Sequence, residues 1–108
     1  MKRGDLVTVS NSGNYAKPRP ALVIQSDQLN SNDSVLVILL TSALVNTPLF
    51  RLAIAPTETN GIKLPSQIMI DKIMAYPRAK CGPVIGAVDK ATLLTLNNLL
   101  ATIVGLAD

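Results

Sequence analysis

With 108 residues, 48% of them apolar, 16% charged and a net charge of +3, the chain is expected to form one folded domain, 1–108, rather than a disordered segment. It has no histidine and a single cysteine, Cys81, which excludes His-ligated metal sites, a Ser-His-Asp triad, paired-histidine ribonuclease chemistry and a disulfide framework. Aromatics are 3% with no tryptophan, so the core must be aliphatic, and so few charges leave apolar surface that points to a partner.

Asp5–Ser10 reads as a first strand. Asn11–Pro18, with Asn11, Ser12, Gly13, Asn14 and Pro18, reads as a loop. Pro20–Gln25 is apolar on both faces, which predicts a central strand. Ser26–Ser34 is polar, with one helical turn expected at Asp27–Leu29, and Val35–Thr41 is the third strand. Arg51–Ala55 is a fourth, closed by Pro56, and Glu58-Thr59-Asn60-Gly61 is a turn signal. Ser66–Ile70 is a fifth strand, continuing or bending into Lys72-Ile73-Met74. From Asp89 to Val104 the spacing of Leu93, Leu96, Leu99, Leu100, Ile103 and Val104 predicts one amphipathic helix, with Asp89 as N-cap and Gly105 as stop. Strands followed by one helix make a mainly β, α+β, barrel-like domain.

The longest apolar run, Val35–Leu40, is far short of the roughly 20 residues that span a bilayer as a helix, and Met1–Asp5 is no signal peptide. A soluble protein of the reducing cytoplasm is expected, with Cys81 as a small, partly buried residue. The positive charge falls in two blocks. Residues 1–26 hold Lys2, Arg3, Lys17 and Arg19 against Asp5, and residues 63–90 hold Lys63, Lys72, Arg78, Lys80 and Lys90 against Asp71 and Asp89. If both loop-rich blocks meet at one end of the barrel, they form a groove for phosphates; otherwise they are a solvated surface.

Five segments in order carry a resemblance: Arg3-Gly4-Asp5-Leu6-Val7, Lys17-Pro18-Arg19-Pro20-Ala21-Leu22-Val23-Ile24, Val35–Ser42, Ser66–Lys72, and Ile85–Val88 before the helix. Together they resemble the MazF/PemK-type toxins of bacterial toxin–antitoxin pairs over essentially the whole chain. The resemblance implies an SH3-like, CcdB/MazF-type small β-barrel of about five to seven strands with a C-terminal helix. It implies a homodimer that cuts single-stranded RNA without metal or cofactor, is not membrane-bound, and is held in check by an acidic antitoxin.

Position by position, it makes Arg19 and Thr41 the catalytic residues. Along the substrate, Ser42 and Asp71 are expected from these matches, and Lys17, Lys72, Arg78 and Lys80 from the two basic blocks. Asp71 matches the Asp of the family's Asp-Gln pair, but Lys72 stands where the family has Gln. The histidine that some relatives carry in the first loop has no counterpart here. The antitoxin is expected to set carboxylates near Arg19 and the Lys63–Lys80 region, with Lys72 and Arg78 shaping partner choice.

These residue types suit the chemistry. RNA brings its own nucleophile, the 2′-hydroxyl, so the protein has to orient the strand and stabilise phosphorane-like charge. A guanidinium offers a planar fork of donors to two phosphate oxygens, and Thr41 adds a neutral donor. Each residue also has an ordinary role: Arg19 as a surface residue between Pro18 and Pro20, Thr41-Ser42 as a strand terminator capping a turn, Asp71 as a partner of Lys72 or Arg78. Tyr76 and Phe50 are the aromatics able to stack a base, with core packing expected for Phe50 between Leu49 and Leu52. Two other functions remain open: a CcdB-like gyrase poison, although Val104–Asp108 lacks that family's Trp-Gly-Ile, and a non-catalytic RNA-binding barrel.

Overall fold

The computed structural model describes residues 1–10, 17–106 and 108. In chain order they form β1 (Asp5–Val9), β2 (Arg19–Val23), β3 (Ser34–Thr41), β4 (Arg51–Ile54), β5 (Ser66–Pro77), a 3₁₀ turn at Arg78–Lys80, β6 (Cys81–Ala87) and α1 (Lys90–Ile103). Most of the first-loop reading, residues 11–16, lies outside the described residues. The strands make one antiparallel sheet in the order β4-β5-β3-β2-β1-β6.

Because side chains alternate along a strand, β1, β2, β3 and β5 each feed two cores. Leu6, Leu22, Ile38, Leu40, Ile68 and Ile70 point to one face, where they bury Leu96 of α1. Val7, Val9, Ala21, Val23, Val35 and Val37 point to the other and pack with Tyr76 of β5, with Cys81 of β6 against them. The helix covers only the first face. The sheet buries the second by curling on itself, which is why β2 is apolar on both faces from Pro20 to Val23.

The curl needs a bend in β5. Ile38 pairs with Ile73 and Leu40 with Ile68, so two steps along β3 match five along β5. The four residues Met69–Lys72 stand opposite Leu39 alone and form the bend, and β5 runs beyond its predicted end to Pro77.

The two edges, β4 and β6, meet through a turn instead of a ladder. The Ala87 N–H donates to the Thr59 carbonyl at 3.0 Å. Gly61, at φ +70°, packs on the Ile85 carbonyl, and Gly86 packs on the Asn60 main chain; a Cβ on either glycine would overlap those atoms. Asn60, only 4% exposed, holds the turn together. Its Oδ1 accepts from the N–H groups of Thr57 (3.0 Å) and Ile62 (2.9 Å), and its Nδ2 donates to the Ala55 carbonyl (2.9 Å).

α1 begins where predicted. The Asp89 carboxylate accepts from the Thr92 N–H at 2.8 Å, and Gly105 takes φ +74° after the last turn. Arg3 fastens the helix to the sheet, with Nη2 donating to Asn97 Oδ1 and Nε to the Ile24 carbonyl, both at 2.8 Å.

Three expectations change. Asp27–Leu29 is a turn closed by the Leu29 N–H on the Ser26 carbonyl, with no helix. Cys81–Ala87 is a full strand, in a stretch for which no element was expected. The aromatics exchange places: Phe50 is 45% exposed, because it sits in the turn entering β4, and Tyr76 is 7% exposed, opposite Val35 over the second core. Tyr76 therefore offers no face for a base.

Candidate functional site

The curl leaves one end of the barrel open, and the mouth is a cavity of about 660 Å³. Its wall includes Thr8 of β1, Arg19 of β2, Thr41 of β3, Ser66 of β5, the segment Gly61–Leu64 and Ile85 of β6. Lys17, Pro18, Pro20, Leu40 and Ser42 complete the described lining.

Strand register brings Arg19 and Thr41 together. Ala21 pairs with Leu39, and the antiparallel register carries Arg19, two residues earlier, level with Thr41, two residues later. Pro18 and Pro20 flank Arg19 and limit the backbone on both sides. The guanidinium is exposed and makes no hydrogen bond or ion pair with the described residues. Thr41 Oγ1 accepts from the Ala43 N–H at 3.1 Å, so the ordinary turn-capping role is real. A hydroxyl also has a proton to donate, and in Thr41 that donor remains for a ligand.

The electrostatics follow from composition. The described lining has three cations, Lys17, Arg19 and Lys63, and the hydroxyls of Thr8, Thr41, Ser42 and Ser66, with no carboxylate. A concave site with unneutralised cations and neutral donors favours an anion.

Of the residues singled out from sequence, Lys17, Arg19, Thr41 and Ser42 line this cavity; the other four do not. Asp71 and Lys72 sit on the β5 bend, their charges 3.9 Å apart and well exposed, an arrangement that contributes little to stability. Arg78 and Lys80 lie in the 3₁₀ turn beyond β5, where the Arg78 Nε donates to the Asn32 carbonyl at 2.7 Å and its N–H to the Asp33 carbonyl at 2.8 Å. The two basic blocks thus converge only in part. Lys17 and Arg19 from the first meet Lys63 alone from the second. Thr8, Lys63 and Ser66 belong to the cavity without having been picked out as site residues. The signal for Lys63 was its place two residues after the Asn60-Gly61 turn.

Comparison with known proteins agrees with this architecture. Residues 2–104 match the family model described as PemK-like, MazF-like toxin of type II toxin-antitoxin system. A probable endoribonuclease MazF of Mycolicibacterium smegmatis is 34% identical over 108 residues, covering 99% of both chains. A solved mycobacterial endoribonuclease in complex with its cognate antitoxin is similar with a TM-score of 0.80 at 25% identity, over 98% of this chain and 96% of that one. A MazE–MazF complex (Form II) from Deinococcus radiodurans also reaches 0.80, at 17% identity over 97% and 96% of the two chains, a likeness of fold. With the family model matched along nearly its whole length, the chain belongs to the PemK/MazF family of type II toxin–antitoxin toxins.

Proposed function

We propose that this toxin is an endoribonuclease that cleaves single-stranded RNA at the barrel mouth, with Arg19 and Thr41 as its catalytic residues. The observation that carries the reading is that Arg19 and Thr41 line one cavity, which holds three cations and no described carboxylate. The 34% identity to a probable endoribonuclease supports the same activity.

The substrate's 2′-hydroxyl gives up its proton as its oxygen attacks the adjacent phosphorus, the bond from phosphorus to the 5′-oxygen breaks, and that oxygen takes up a proton. The products are a 2′,3′-cyclic phosphate and a 5′-hydroxyl. Arg19 spans two phosphate oxygens and stabilises the charge that grows on them, and the Thr41 hydroxyl donates to the same group. Lys17 and Ser42 hold the flanking strand. The described lining has no carboxylate to ligate Mg²⁺, a hard cation that takes oxygen ligands, so charge stabilisation falls to these side chains.

The protein works as a homodimer in the cytoplasm; no described helix is long and apolar enough to cross a membrane. Its partner is an acidic antitoxin whose flexible segment lays carboxylates over Arg19, as a mimic of the RNA backbone. Incubation with single-stranded RNA in EDTA tests the activity. Cleavage to cyclic-phosphate ends is expected, and strict dependence on Mg²⁺ overturns the reading.

A further inference from the structure

We infer that Lys63 is an RNA-backbone contact on the wall of the mouth opposite Arg19, so that the strand is held between two cationic walls; this rests on the ribonuclease reading above. Sheet order sets Thr8 on β1, Arg19 on β2, Thr41 on β3 and Ser66 on β5 side by side as stations around the mouth, with Ile85 on β6 beyond Thr8. The segment 61–64 closes the ring, running into β5 at Ser66 and packing through Gly61 on the Ile85 carbonyl. From Arg19 the segment carrying Lys63 is the third station in either direction. It is the facing wall.

That wall is rigid. Lys63 follows Ile62, which is 6% exposed and anchored in the first core, and Ile62 in turn donates its N–H to the buried Asn60 side chain. Gly61 fits against the Ile85 carbonyl only because it has no Cβ. Three residues after Lys63, the chain enters β5 at Ser66, whose hydroxyl donates to the Leu64 carbonyl at 2.8 Å. The backbone at Lys63 is therefore fixed on both sides, and its ammonium starts from a set position.

Its charge is also uncommitted. Lys63 makes no ion pair or hydrogen bond with the described residues. Elsewhere in the same basic block, Lys72 lies beside Asp71 and the Arg78 guanidinium bonds to the Asn32 carbonyl. Arg19 presents a planar fork suited to a single phosphate, whereas a lysine is a compact point charge on a flexible stem. Lys63 therefore adds affinity for the backbone irrespective of base sequence, and Asn60 and Gly61 act through it as positioning residues.

The test is the salt dependence of binding. The probe is a random-sequence, fully 2′-O-methylated RNA 12-mer, which lacks the nucleophile and stays intact. For single strands, each phosphate contact steepens log K against log salt by about 0.7. Lys63→Ala is expected to weaken binding equally across sequences and to reduce the slope by about 0.7, and Lys63→Arg to restore it. Lys90→Ala, on the first residue of α1 and outside the mouth, should keep the parent slope. An unchanged slope in Lys63→Ala, with the parent still cleaving unmodified RNA, overturns the assignment of Lys63 and leaves the ribonuclease reading standing. A parent that neither binds the probe nor cleaves RNA overturns both.

Discussion

The Gln67 side chain holds the main chain of Val45 at both polar groups: its Oε1 accepts from the Val45 N–H at 3.1 Å and its Nε2 donates to the Val45 carbonyl at 2.8 Å. Arg51 Nη1 donates to the same Oε1 at 3.2 Å. One side chain on β5 therefore fixes the segment that leaves the barrel mouth at Thr41 and Ser42. The segment needs it, because Leu44, Val45, Leu49 and Phe50 are all exposed and give it no apolar anchor.

Gln67→Leu removes these bonds and leaves the solvent-accessible partners to water. The expected loss is about 1–2 kcal/mol, since exposed groups recover much of their hydrogen bonding. Amide exchange at Val45 should rise well before exchange at Leu22 or Ile38 in the first core. Equal acceleration at all three sites would show that Gln67 acts on global stability and not on the loop.

Arg19→Ala should lower cleavage by about 10²–10³-fold, the range for removing one preorganised donor aimed at developing charge. Its far-ultraviolet circular dichroism should match the parent, because the guanidinium has no described internal partner. Thr41→Ala should cost about tenfold, as one neutral donor contributes less than a charged fork, and Thr41→Ser should recover most of it. Cleavage by Arg19→Ala at the parent rate would remove Arg19 from the site.

Hydrogen bonding from Thr92, through its side chain first and its N–H second, favours the charged form of Asp89 and holds its carboxyl below the usual carboxylate range. A depressed native pKa means that the cap's contribution is full above the unfolded value of about 4 and fades as pH falls through the lower native one. Asp89→Asn keeps a capping oxygen that does not titrate in this range. Its melting temperature should fall less than the parent's between pH 5 and pH ~2.5. Parallel curves for the two proteins would place the acid sensitivity elsewhere.

Burial pushes the Cys81 thiol up, and the nearby Arg78 charge offsets this only in part. The thiol also donates weakly to the Pro77 carbonyl at 3.6 Å. Alkylation by iodoacetamide at pH 7.5 should be slower than for free cysteine, because the thiolate is the nucleophile. Arg78→Ala should slow it further. A rate above that of free cysteine would mean an activated thiol.

The first five strands, the helix and its caps were legible in the sequence because their signals are local. The run Val35–Leu40, the leucines spaced along Asp89–Val104, and Asp89 and Gly105 at the helix ends act through neighbours a few residues away. Aliphatic composition announced the cores, and the ordered segments around Arg19 and Thr41 announced the family. Tertiary structure decided what depends on distant partners. Cys81–Ala87 becomes a strand because Gly86 fits against the turn at Asn60 and β1 supplies a ladder, and nothing within the segment records either fact. Phe50 and Tyr76 exchange burial because the sheet curls over Tyr76 and leaves the β4 turn outside. Lys63 and Lys72 carry the same charge nine residues apart. Only the closure of the barrel, by Gly61 against Ile85, puts Lys63 at the mouth, while the β5 bend leaves Lys72 away from it beside Asp71.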